Sequence, residues 1–263
     1  MPRDDDSILA GEFPDALRKI RERTPARLLA GRAGAAYRTA TQMELREAHA
    51  AARDAVRAEL DLDAGLGPEF VQQWKLFEVS SEADSKEVFL LHPEKGRHFG
   101  GRSRPTLLAR CPREKDVQIA IGDGLSVTAL AAQIPGLLPL LDAGAKERGW
   151  STGNPFVIRH CRVGILNEIG ELLAPKVAIL LIGERPGLAT AESLSAYMAY
   201  QPSSAHTDAN RNLISNIHAR GLSAERAAER ILDVAAQMMT QHISGFCLHR
   251  EFGHGREEPG TLR

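Results

Sequence analysis

The stretch KVAILLIGERPGL, Lys176 to Leu188, decides the fold. Val177 to Gly183 is a run of seven apolar or small residues, the length of a strand and too short for a core helix. A run apolar on both faces reads as a strand buried on both sides, as in parallel sheets covered by helices. Glu184, Arg185, Pro186 and Gly187 follow without a spacer. Pro186-Gly187 predicts a type II turn, with proline presetting φ and glycine taking positive φ, and such a turn would fix the direction of the carboxylate before it.

The same plan recurs upstream. VQIAIGDGLS, residues 117–126, is an apolar run ending in Gly-Asp-Gly, and SVTALAAQIPGLLPLLDAGAKERGW continues as a helix. NPFVIRHCRVGI and LNEIGELL repeat strand and helix. SLSAYMAYQP alternates Leu194, Ala196, Met198 and Tyr200 with Ser195, Tyr197 and Ala199, a further strand. A last helix follows Ser223 as N-cap, with Glu225 in its first turn.

These patterns predict an α/β fold: an open, mostly parallel, Rossmann-like sheet flanked by helices. A helical N-terminal region at 1–112 precedes it, the sheet domain takes 113–250, and 251–263 is a loose tail. Within the first region Leu9, Phe13, Leu17 and Ile20 predict a short amphipathic helix. A second helix is capped by Thr39 or Thr41, with Met43, Leu45, Ala48, Ala52, Val56 and Leu60 as its packing stripe. A short helix over 68–76 and a segment from Ser85 or Pro93 follow, and no period-2 strand stands out.

Ligands of open α/β sheets bind at the carboxyl ends of strands. IGDGLS and IGERPG put Asp123 and Glu184 there. Gly122 and Gly124 allow close backbone approach, and the helix start at Ser126 offers free N–H groups to a phosphate or amide. The spacing is neither GxGxxG nor a P-loop, so a tight capped turn explains it equally well. Glu184 and Arg185 can pair locally or divide between a ligand and a partner.

Composition sets the outer bounds. The 263 residues are 43% hydrophobic and 25% charged, as in globular domains. The 33 basic and 34 acidic residues leave a net charge of −1, and aromatics are 5%, so nothing calls for nucleic acid or an anionic membrane. No signal peptide or membrane-length apolar run occurs, and a cytoplasmic protein is expected. Cys111, Cys161 and Cys247 are odd in number and lack a CxxC spacing, so buried free thiols are expected. The nine histidines form no HExxH or Cys/His cluster, and there is no GxSxG elbow. SSAHTD, Ser203 to Asp208, holds serine, histidine and aspartate, but adjacency is not triad geometry. The residues alone describe an α/β ligand-binding protein without a catalytic constellation. They leave open a nucleotide-binding oxidoreductase using the Gly122–Gly124 turn and a non-catalytic interaction subunit.

LLAGRAG, VQIAIGDGLS, the run from Gly153 to Tyr200 and NRNLISNIHARG together resemble the small (light) subunit of ethanolamine ammonia-lyase, over about Ala26 to Gly245. That resemblance implies an adenosylcobalamin-dependent lyase converting ethanolamine to acetaldehyde and ammonia, with the radical chemistry carried by the cofactor. It implies a large-subunit partner, a (β/α)₈ barrel with the substrate pocket, in a hetero-oligomer. The small subunit, inactive alone, holds the corrinoid's lower face and nucleotide tail in its 113–250 domain. Such an enzyme is compatible with packaging in a bacterial microcompartment. Carried over by position, the family's cobalamin contacts fall on Val163 in CRVG, Glu184 in GERPG and Leu213 in RNLISN. At the last position relatives can have cysteine. Asp123, Gly124, Ser126 and Arg185 are further expected contacts. No DxHxxG occurs, so the cofactor should be base-on, keeping its own lower base on cobalt.

Overall fold

The computed structural model describes residues 32–250 together with Asp15, Lys19 and Ile20. The amphipathic stripe at Leu9, Phe13 and Leu17 and the tail at 251–263 lie outside the described residues. The apolar runs become strands of one six-stranded sheet. These are β1 (Glu78–Ser80), β2 (Val117–Gly122), β3 (Phe156–Arg159), β4 (Val177–Gly183), β5 (Leu194–Tyr200) and β6 (Asn212–Ile217). Their order is β1-β3-β2-β4-β5-β6.

Strands β1 to β4 are mutually parallel, while β5 runs antiparallel to both of its neighbours, β4 and β6. The mostly parallel expectation therefore describes four strands, and the sheet as a whole is mixed. The physical reason is length. The link from Gly183 to Leu194 is shorter than the dozen or so residues that a parallel crossover needs, so the chain can only turn back beside β4. Every residue of β2 and β4 is buried, which accounts for the apolar run of β4 and for a β2 broken only by Gln118, whose amide donates to the Ile119 and Asn154 carbonyls.

The helices are α1 (Thr39–Arg57), α2 (Leu62–Leu66), α3 (Pro68–Gln73), α4 (Lys86–Leu91), α5 (Ser103–Arg110), α6 (Val127–Glu147), α7 (Leu166–Leu173), α8 (Ala224–Gln241) and α9 (Phe246–Arg250). Ser126 and Ser223 cap α6 and α8, accepting from the N–H groups of Ala129 and Arg226. On one side of the sheet, α6 and α8 pack over Ile119, Ile121, Ile179, Leu181, Ala196 and Met198. On the other, α5 and α7 cover Ala120, Ile158, Ala178, Leu180 and Ile182. Helix α6 has the length and apolar composition of a membrane span, but its Leu130, Ile134, Leu137 and Leu141 are fully buried in this core.

The stretch expected to be helical before residue 112 does more than that. Leu62 and Leu66 join the α6 layer, Phe77, Val79, Phe99 and Leu107 join the α7 layer, and β1 is the sheet's edge. Three residues are too few for a period of two to show. Helix α1 begins at Thr39 itself, after Arg38, with no side-chain cap bond. Its stripe is only half-buried, and Met43 is 58% exposed. Cys111 and Cys161 are buried as expected, whereas Cys247 is exposed.

At the sheet's opposite end, Asp116 accepts from the Ser151 N–H at 2.8 Å and hydroxyl at 2.7 Å, and Lys176 Nζ lies 2.8 Å away. Lys176 foremost, then Ser151, hold the Asp116 carboxyl down from 3.8 to about 2. A depressed carboxyl stabilises the fold above its unfolded value, and that contribution is lost as pH falls toward the folded one. Asp116→Asn should therefore be less stable than wild type at neutral pH. The gap should narrow between about pH 4 and about pH 2, as denaturant titrations across that range would show.

Candidate functional site

The two strand ends singled out by sequence interlock. The Leu125 N–H donates to the Gly183 carbonyl at 3.0 Å. Gly124 sits at φ +55°, and a Cβ on Gly183 would meet the Ser126 carbonyl at 2.1 Å, so neither position tolerates a side chain. Asp123 is fully buried. One carboxylate oxygen accepts from the His160 N–H at 2.8 Å and the other from the Cys161 N–H at 2.9 Å. Lys86 Nζ stands 3.9 Å from this carboxylate and donates to the Gly124 carbonyl at 3.4 Å. Burial pushes the Asp123 carboxyl up, and the Lys86 ammonium and the two N–H groups oppose it. Ser126, also fully buried, donates to the Ala191 carbonyl at 2.5 Å. Asp123, Gly124 and Ser126 are thus enclosed and spent on the protein's own groups.

Glu184 is held differently from the turn expected. Gly187 does not take positive φ, and its N–H bonds the Thr190 carbonyl at 3.1 Å. The Glu184 carboxylate instead accepts from the hydroxyls of Ser195, in a short bond, and Ser193 at 3.3 Å. Each carboxylate oxygen has two acceptor sites, so capacity for a ligand donor remains. Among the described residues Arg185 forms no ion pair with Glu184, and its side chain is exposed.

Between α7 and β5 lies a cavity of about 750 Å³ whose wall includes Arg97, Arg162, Val163, Asn167, Tyr197 and Arg211. Of the odd-numbered side chains of β5 and β6, Tyr197, Leu213 and Ser215 are left uncovered to some degree, whereas Ser195, Ala199 and Ile217 are buried. Tyr197 is half-buried, and Leu213, its cross-strand partner, is 48% exposed. Burial, then the charge of Glu184, raises the Tyr197 phenol's pKa. Val163 and Tyr197 thus share the cavity wall, Leu213 is paired with Tyr197 across the strands, and the Glu184 charge reaches the same phenol, although 50 positions separate Val163 from Leu213. Arg185 joins them through its charge, which bears on Arg162.

Comparison with known proteins supplies the family. The family described as ethanolamine ammonia-lyase light chain (EutC) matches residues 14–249. An ethanolamine ammonia-lyase small subunit of Clostridium perfringens is 36% identical over 234 residues, 89% of this chain and 77% of its own length. One of Fusobacterium nucleatum is 40% identical over 227 residues, 86% and 75% of the two chains. The chain belongs to the ethanolamine ammonia-lyase light-chain family.

Membership in this light-chain family sets a frame for the residues that sequence reasoning missed. Tyr197 had been read only as part of an alternating strand, and Arg97, Asn167 and Arg211 not at all as site residues. Their signal is tertiary, since they come from separate loops, α7 and β5. No triad forms in SSAHTD: Asp208 pairs with Arg211, and His206 Nδ1 is buried without a partner. Burial, then Arg211, lowers the His206 pKa. Among the described residues no group of three or more histidine, cysteine or carboxylate side chains could hold a metal ion. In this light chain Asp123 is a clamp, and Asp123→Ala would strand Lys86 and two backbone N–H groups in the interior. Urea unfolding should show a loss of about 3–5 kcal/mol. A loss well below that range would mean the clamp is not structural.

Proposed function

We propose that this chain is the cobalamin-holding small subunit of an adenosylcobalamin-dependent lyase that converts ethanolamine to acetaldehyde and ammonia. One observation supports the reading: of the positions assigned by family resemblance, Val163 lines the cavity with Tyr197, Leu213 is the exposed cross-strand partner of Tyr197, and the Glu184 carboxylate is fastened to Ser195 on the same strand. The residues fit the group. A corrinoid presents methyls, amides and a phosphate-bearing nucleotide tail. Val163 and Leu213 offer apolar surface, Glu184 accepts from an amide or hydroxyl, and the cavity wall carries buried Nε atoms of Arg162 and Arg211 that lack partners among the described residues. When bound, the cofactor supplies the radical chemistry, and this chain's residues orient it. A leucine at 213 serves by apolar contact, so no thiol is required.

This surface needs a cover, and the large subunit of the hetero-oligomer supplies it together with the substrate pocket. The lower base of the cofactor stays on cobalt, because no DxHxxG histidine is available to replace it. The setting is the cytoplasm, with or without a bacterial microcompartment. Of the other readings, a nucleotide-binding oxidoreductase would need the Gly122–Gly124 turn, where enclosed Asp123 leaves no room for a phosphate. A purely non-catalytic interaction subunit would bind no corrinoid.

The test is reconstitution. The chain alone with adenosylcobalamin should release no ammonia from ethanolamine, and addition of the large subunit should restore release. In that complex, nitrogen-labelled protein should add no splitting to the cobalt paramagnetic signal. Activity of the isolated chain, or a complex indifferent to cobalamin, would overturn the reading.

Glu184 gives the residue-level check. A hydrogen bond to a charged group is worth roughly 1.5–3 kcal/mol, so Glu184→Ala should weaken cobalamin binding by about one to two powers of ten. Glu184→Gln keeps one acceptor oxygen and should fall between. The Ala variant also strands the buried Ser195 hydroxyl and should melt earlier, whereas Gln can still bond both serines. Equal dissociation constants for wild type and Gln, measured by spectral titration, would remove Glu184 from the site.

A further inference from the structure

We propose that the cavity between α7 and β5 is an oxyanion pocket in which Arg97, Arg162 and Arg211 take the phosphodiester of the corrinoid's nucleotide tail. The occupant's identity rests on the cofactor reading above; the pocket itself rests on charge and unmet hydrogen bonding.

The carboxylates of the wall are spent. Glu168 receives His98 at 2.8 Å, the Phe99 N–H at 3.0 Å and Arg104 at 3.0 Å. Glu171 accepts the Ser204 N–H at 2.9 Å, and Asp208 pairs with Arg211. Among the described residues Arg97 and Arg162 have no carboxylate partner. Arg162 lies over the Phe89 ring at 4.2 Å and donates only to that residue's carbonyl at 3.2 Å. Counting Arg104, which pairs with Glu168, four arginines (Arg97, Arg104, Arg162, Arg211) face three carboxylates (Glu168, Glu171, Asp208), a surplus of one positive charge.

Hydrogen bonding points the same way. Six buried side-chain polar atoms lack a partner among the described residues, and three of them, Arg162 Nε, Arg211 Nε and His206 Nδ1, belong to this one wall. The Arg211 side chain is only 5% exposed, and its other nitrogens are held by Asp208 and Asn167. Buried donors without acceptors are costly, and their concentration at a cavity marks the place of an acceptor-rich ligand. Position is also prepared. The stem of Arg97, an exposed residue in the cavity wall, crosses Gly164 so closely that a Cβ there would meet it at 2.9 Å. Burial, then the charges of Arg185 and Arg97, lower the pKa of Arg162, as expected for like charges gathered without a counterion. Guanidinium forks match phosphate oxygens, several sharing one tetrahedral group.

Two arms separate the tail from free phosphate. Inorganic phosphate, titrated into the full chain at constant ionic strength, should raise the melting midpoint of wild type and not of Arg97→Met, which keeps the packed stem. In the complex with the large subunit, Arg97→Met and the conservative Arg211→Lys should weaken adenosylcobalamin by about tenfold. Both should leave adenosylcobinamide, the same corrin without phosphate and nucleotide, unchanged. Equal weakening of both corrinoids, or phosphate acting alike on wild type and variant, would overturn the pocket. A complex that binds neither corrinoid defeats the cofactor reading, and the phosphate arm alone then upholds or overturns the pocket.

Discussion

The Asp123 carboxylate is the contact on which the rest of the structure depends. In an open α/β sheet the crevice where successive strands lie on opposite sides of a central one is the usual ligand site. Here β3 and β4 flank β2, and their connecting helices α6 and α7 lie on opposite faces. The crevice belongs between the ends of β2 and β3. Asp123 fills it, taking the two N–H groups that start the loop after β3. The protein has placed its own anion where a bound one would sit. Lys86, from a segment far upstream, closes the charge.

That substitution moves the ligand surface sideways. With β2, β3 and β4 stitched at their ends, the open surface nearby is the cavity beside α7, with Tyr197 of β5 in its wall and Leu213 of β6 paired to that residue. The short return after Gly183 makes β5 antiparallel to β4 and adds no helix between them. The same return brings Ser193 and Ser195 beside Glu184, so one economy of chain length both turns the strand back and orients the carboxylate.

Much of this was legible in the sequence. The runs at 117–122 and 177–183 announce buried strands because burial on both faces removes nearly every polar position, Gln118 being the exception. Ser126 and Ser223 announce helix starts because unpaired N–H groups need an oxygen. Strand β6 was not legible: Asn212, Ser215 and Asn216 interrupt its apolar residues, since one face is open and its edge is free. Strand β1 was too short to declare itself. The Pro186-Gly187 turn misled, because local turn chemistry suggested what holds Glu184, and two serines on the next strand do so instead. Arg97, Tyr197 and Arg211 carry no local mark at all, since a shared cavity is a property of the folded chain.

The cysteines carry a kinetic consequence of the core. Burial raises the Cys111 thiol to about 11 and the Cys161 thiol well above its usual range, so neither offers a thiolate to a reagent in the folded state. Cys161 lies against Gly122, where a Cβ would meet its sulfur at 2.7 Å, beneath the very loop that Asp123 fastens. Cys247, in α9, is exposed. One molecule thus holds two clocks. An alkylating reagent reads the surface at Cys247 at once, and it reaches Cys161 only as often as the clamp between β2 and β3 comes undone.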